Sequence, residues 1–242
     1  MLHSLWNNLL YRPFVNVLAV LISIMPGGDV GLAVIILTLL VKAILAPLSQ
    51  RSIASQSKMK LLEPEIKKIK ESGKSKEEQA RLTFDLYKKN KTNPFAGCLL
   101  IFIQIPIIFA LYYAFLKGIK FDGGLLYSFV HAPAHMNTNF LGFLDINARN
   151  LPLAILAGVT QYFQAHYMPK SAPADTGGKN SFADAFGKSM QLQMKYVFPF
   201  LIAFIAYGVS GAIALYWITS NLFTIFQQIY INKKHKNMAV VK

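Results

Sequence analysis

The chain has 242 residues, is 54% hydrophobic and only 15% charged, and carries a net charge of +14. That balance excludes an ordinary soluble domain; it fits a multi-span membrane protein. At about 20 residues per helical span, the length admits roughly five spans and leaves no room for a large separate soluble domain.

Residues 1–29 read as an interfacial helix on the external face. Phe14–Met25 is apolar except for Asn16 and Ser23, and Pro26-Gly27-Gly28 ends it. That run is too short to span, and no small-x-small cleavage site follows it. Trp6, Tyr11 and Arg12 suit the head-group layer. The first span is expected over 30–50, with its apolar core at Val30–Leu48.

Segment 51–95 reads as a helical hairpin. Met59, Leu62, Ile66 and Ile69 recur at helical spacing. Ser72-Gly73 breaks the helix, and Ser75 with Glu78 three residues on is a capping box. Leu82, Leu86 and Lys89 continue a weaker stripe, and Pro64 marks a kink or a new first turn.

Further spans are expected at 96–116, 151–168, 195–210 and 211–231. They are joined by an external loop at 117–150 and a cytoplasmic loop at 169–194. The fourth span is short: Tyr196–Ser210 rises only ~22 Å against a ~30 Å hydrocarbon core. Either the bilayer thins there, or the helix starts earlier, near Met190. A basic tail, 232–242, ends the chain. Of the basic residues, twelve lie in Arg51–Pro94, four in Lys170–Lys195 and four after Ile231, against four in the alternate segments. The positive-inside rule then puts the N-terminus outside and the C-terminus in the cytoplasm. The basic excess first means loops facing anionic lipid, and second an RNA-rich partner such as a ribosome.

Lys42 lies inside the first span, where a charge costs about 2.5–3.5 kcal/mol on insertion scales. It shares a helix face with Thr38, four residues earlier. It either lines a wet pocket or snorkels to the inner interface. Polar partners for a pocket exist on other spans: Gln104, Tyr112, Gln161, Gln164, Tyr207, Tyr216, Ser220 and Asn221. Such groups also simply hold helices together. No acidic residue falls in any expected span. A lone positive charge suits transient contact with an anionic group better than a cation pathway.

Catalytic motifs are weak. Gly208-Val209-Ser210-Gly211 matches the GxSG around an intramembrane protease serine, but His235, the one later histidine, is across the bilayer. His131 and His135 read as loop bystanders. No HExxH, paired intramembrane aspartate or phosphate loop occurs, so neither enzyme activity nor a cofactor is expected.

Several ordered motifs resemble the YidC/Oxa/Alb family of membrane protein insertases over nearly the whole chain. They are TLLVKAILAPLS at Thr38–Ser49, SKMKLLEPEIKKIKE at Ser57–Glu71 and YKKNKTNPFAGCLLIFIQIPIIFALYYAF at Tyr87–Phe115. LPLAILAGVTQYFQ at Leu151–Gln164 and VSGAIALYWITSNLFTIFQQIYI at Val209–Ile231 complete the set. The resemblance implies an all-α membrane protein. Its five transmembrane helices would surround a hydrophilic groove open to the cytoplasm, with an N-terminal interfacial helix and a cytoplasmic hairpin. The family's groove charge, usually arginine, matches Lys42. Lysine keeps the charge and loses the planar fork of donors. Groove and exit positions match Thr38, Gln104, Tyr216, Trp217 and Asn221. The implied partners are client membrane proteins and the bilayer, with the ribosome and Sec translocon as further candidates, in a bacterial cell membrane. A small anionic-solute transporter and a docking-only assembly factor are the alternatives.

Overall fold

A computed structural model describes residues 6–93, 96–116, 121, 124–168, 189 and 192–240. Pro94, Phe95, Met190 and most of the loop expected at 169–194 lie outside the described residues. A π-helical turn at Asn7–Tyr11 leads into α1 (Arg12–Ile24). Then follow α2 (Val30–Leu61), α3 (Glu63–Lys70), α4 (Lys76–Lys89) and α5 (Ala96–Leu116). A two-stranded antiparallel hairpin, β1 (Asn139–Phe140) and β2 (Leu144–Asp145), precedes α6 (Leu151–Tyr167). A second π-turn at Gln193–Val197 opens α7 (Phe198–Gly208), and α8 (Gly211–Val240) closes the chain.

The helices overrun several boundaries expected from membrane thickness. Helix α2 does not stop at residue 50 but continues to Leu61. Pro47 removes one N–H, yet no glycine or second proline follows before Pro64, so the helix propagates. Its 32 residues rise about 48 Å, longer than a hydrocarbon core. Helix α8 likewise runs past Ile231 to Val240, so the expected tail is helical over most of its length. Helical residues are already present at Leu192, ahead of the expected start at 195. The N-terminal helical run is 18 residues, Asn7–Ile24. Among the described residues, that run and Val30–Met59 are long and apolar enough to cross a membrane, and Gln104–Phe115 is a shorter apolar helix.

The chain divides into two compact units. The first holds Met1–Ile44, Phe102–Gln161 and Pro199–Phe223. Every residue of α8 from Gly211 to Ile218 is buried, the mark of a core helix surrounded by neighbours. Close packing of α6 on α7 depends on Gly158, where a Cβ would stand 2.9 Å from Ala203 Cβ and 3.0 Å from the Pro199 carbonyl oxygen. Arg12 donates to the carbonyls of Leu125 and Leu126 at 3.1 and 3.2 Å. Its guanidinium lies 5.0 Å from the Tyr127 ring centroid. Buried Asn16 donates to the Leu125 carbonyl and accepts from the Tyr127 N–H. A polar pair inside the α1 run therefore pins the 125–127 segment.

The second unit holds Leu45–Ile101, Tyr162–Phe198 and Thr224–Lys242. Met59, Leu62, Ile66 and Tyr87 form one buried cluster, with Leu86 packed against it. Pro64 occupies the first turn of α3. Gly73 takes positive φ in the turn, and Ser75 Oγ accepts the Glu78 N–H at 3.2 Å. The packed face of α4 is Gln79, Thr83 and Tyr87, whereas Leu82 is half-buried and Lys89 exposed. Thr83 can sit inside because its hydroxyl donates to the Gln79 carbonyl. Gln79 reaches back to the carbonyls of Lys70 and Lys74, tying the two helices across their turn. Ile69 is only half-buried. Ile66→Val is expected to loosen this cluster by about 1 kcal/mol. Amide exchange over α3 and α4 should then quicken roughly fivefold, measured by hydrogen exchange of the reconstituted protein.

Candidate functional site

Helix α2 begins where Asp29 caps it. One carboxylate oxygen accepts the Leu32 N–H at 3.0 Å and the other accepts the Leu141 N–H at 3.0 Å. From there one stripe of α2 packs inward: Val30, Val34, Leu37 and Thr38 are buried, and Ser52, Ile53, Gln56 and Met59 are buried further along. Lys42 sits on this stripe, half-buried, one turn after Thr38. The opposite side, with Leu39, Leu40, Ile44 and Leu48, is exposed and apolar. The charge is therefore placed on the protein-packed side of the helix rather than on its lipid-like side. Thr38 directs its hydroxyl to the Val34 carbonyl at 2.7 Å, which satisfies it internally. Pro47, five residues past Lys42, cannot donate to the Ala43 carbonyl, so that carbonyl beside the charge lacks its helical partner.

The other candidates fall in four groups. Tyr216, Trp217, Ser220 and Asn221 are all buried on α8. Asn221 donates to Thr160 Oγ1 at 3.2 Å and to the Ala157 carbonyl at 3.5 Å. Its amide thus fastens α8 to α6. On α6, Gln161 is buried and Gln164 is half-buried. The Gln164 Oε1 is sealed from solvent with no hydrogen-bond partner, an acceptor left without a donor. On α5, Gln104 and Tyr112 are half-buried, and Tyr112 meets Tyr113 edge-on, with ring centroids 5.8 Å apart. Hairpin candidates Met59, Leu62 and Ile66 are buried together, while Leu82 and Ile69 lie at the margin.

Three structural residues escaped the sequence reading. Asp29 has a local signal, an acid immediately before an apolar helix. Its bond to Leu141 has none, being 112 residues away. Thr160 shows itself only through Asn221. Gly158 is one of many small residues in the spans, and nothing local distinguishes it.

A family profile described as 60Kd inner membrane protein matches residues 21–238. This chain belongs to the YidC/Oxa/Alb family. Similar relatives bear the name membrane protein insertase YidC. The one from Jannaschia is 35% identical over 223 residues, covering 84% of this chain and 33% of its own length. The one from Fusobacterium nucleatum is 33% identical over 208 residues, covering 86% and 88%. The one from Oceanobacillus iheyensis is 32% identical over 238 residues, covering 95% and 84%. This chain thus spans about a third of the Jannaschia relative and most of the other two.

Proposed function

We propose that this protein is a membrane protein insertase and chaperone that works without nucleotide hydrolysis. The observation that carries the reading is the placement of Lys42, on the packed face of a long apolar helix in a chain of this family. Five spans, at 30–50, 96–116, 151–168, 195–210 and 211–231, surround a groove open to the cytoplasm, with the N-terminus outside and the C-terminus inside. Residues 1–29 lie at the external interface. Segment 51–95 is the cytoplasmic hairpin that meets clients, and the ribosome or Sec translocon can deliver them.

The mechanism follows from charge and burial. A client's short external tail, often acidic, enters the groove from the cytoplasm. Lys42 lowers the cost of bringing that negative charge to membrane depth, because opposite charges attract more strongly where water is scarce. Thr38, Gln104, Tyr112, Gln161, Gln164, Tyr216, Ser220 and Asn221 supply polar contacts that replace part of the tail's water, and Trp217 borders the exit. The client's apolar segment then moves into lipid. Transfer at ~25 cal/mol per Å² of apolar surface drives the step, so no nucleotide is needed. Two of these residues, Thr38 and Asn221, also make helix-internal or interhelical bonds, which hold the wall of the path.

Photo-crosslinking tests the path. A photoreactive residue at Gln104 or Ser220 should capture a ribosome-stalled client. One at Phe226, which is 71% exposed, should capture lipid. Equal client capture from all three positions would show that no groove exists. Solute flux through client-free liposomes would favour the anionic transporter instead.

A further inference from the structure

We propose that the tip of the external β-hairpin, Leu141-Gly142-Phe143, docks into the outer leaflet of the lipid bilayer. The hairpin is tied to the first residues of two helices. Val30 N–H donates to the Asn137 carbonyl at 3.0 Å, Asp29 accepts the Leu141 N–H, and the Phe140 ring fills the space over Gly31. At α8, the N–H groups of Gly211 and Ala212 donate to the carbonyls of Ala148 and Ile146, each at 2.9 Å. The tip therefore stays within a few side-chain lengths of the start of α2. If Val30 is where α2 enters the bilayer, that is head-group depth.

The tip's chemistry matches that depth. The Phe143 N–H closes the turn on the Phe140 carbonyl at 3.3 Å, and both central residues, Leu141 and Gly142, have positive φ (53° and 83°). Asn-Gly or Asp-Gly serves such a turn best, and leucine is disfavoured there. Burial within the protein does not offset this, since Leu141 is 56% and Phe143 73% exposed. A turn that sets a bulky apolar residue in left-handed backbone and points it away from the protein fits an apolar medium. The tip carries no charge, and the neighbouring Asp145 is engaged by the Asn147 N–H at 2.9 Å. Aromatic and aliphatic side chains at that height are the ordinary occupants of a membrane interface.

The inference rests on the proposed topology with residues 117–150 outside, and the test separates the two. In a Cys98→Ser background, Leu141→Cys, Phe143→Cys and Asn147→Cys are each labelled with a nitroxide. The proteins are reconstituted in phosphatidylcholine–phosphatidylglycerol vesicles. Collision with oxygen should exceed collision with a water-soluble nickel chelate at 141 and 143, and the order should reverse at 147. Nickel dominance at all three positions, or shielding of 141 and 143 from both reagents by a protein contact, would overturn the docking. Topology is read independently from Asn147→Cys in intact cells. Failure of an impermeant maleimide to react there before lysis would overturn the orientation instead.

Discussion

Lys42→Glu should slow insertion of a single-span client with a short acidic external tail by tenfold or more. Two charges ~8 Å apart at an effective dielectric of ~20 interact by about 2 kcal/mol, and reversing one turns attraction into repulsion. A change of ~1.4 kcal/mol in the barrier is already tenfold. Lys42→Ala should fall between the parent and the glutamate variant, and Lys42→Arg should keep most of the activity. A client with a neutral tail should be nearly indifferent to all three. Initial rates of protease protection in proteoliposomes measure this. Equal rates for the acidic-tail client in the parent and in Lys42→Glu would remove the electrostatic step. The protein-packed placement of Lys42 on α2 motivates the expectation.

Gly28→Ala should cost about 3–4 kcal/mol. The residue has φ of +66°, and left-handed backbone costs an L-residue roughly 1–2 kcal/mol. The added Cβ would press on the carbonyl group of His135, backbone that a rotamer change cannot relieve. Moving it strains the bond from the Asn137 N–H to the Gly28 carbonyl, 2.9 Å, and the neighbouring bond from Val30 to Asn137, each worth ~1 kcal/mol. Gly27 is the control. It has φ of +63°, and a Cβ there meets nothing within 4 Å. Gly27→Ala should therefore show only the backbone term. Thermal unfolding in detergent compares the two. Equal losses would mean that the contact with the 135–137 segment contributes nothing.

Much of this arrangement was legible in the sequence where the cause is local. The Ser75–Glu78 capping box needs only four residues to declare itself, and the cap forms. Pro64 could begin a helix or bend one, and it begins α3. Lys42 stands out because a charge in an apolar run is expensive wherever the run is placed. Helix length and span length differ for a physical reason. Bilayer thickness limits how much of a helix is in lipid, whereas the helix itself ends only where a glycine, proline or competing cap stops it. Neither α2 after Pro47 nor α8 after Gly211 meets such a stop before Leu61 and Val240.

The packed face of α4 departs from its hydrophobic stripe for another reason. A hydrophobic stripe favours Leu82 and Leu86. Thr83 and Tyr87 take the interior because a threonine hydroxyl can bond within its own helix and a tyrosine ring brings more apolar surface than its polarity suggests. Bonds between distant segments, such as Asp29 to Leu141 or Asn221 to Thr160, leave no trace in local pattern. They are also what separates a residue holding the wall of the proposed groove from one lining it. Asn221 illustrates this: the family resemblance implies a groove position for it, and its amide is engaged by α6.

This chain alone should insert clients into a bilayer. The most direct measurement is cell-free synthesis of a single-span client with a short acidic tail, in the presence of liposomes containing only this protein, scored by protease protection. Protection should stand well above that of empty liposomes and fall with Lys42→Glu. Protection no greater than in empty liposomes, with the protein shown to be folded by its thermal transition, would contradict it.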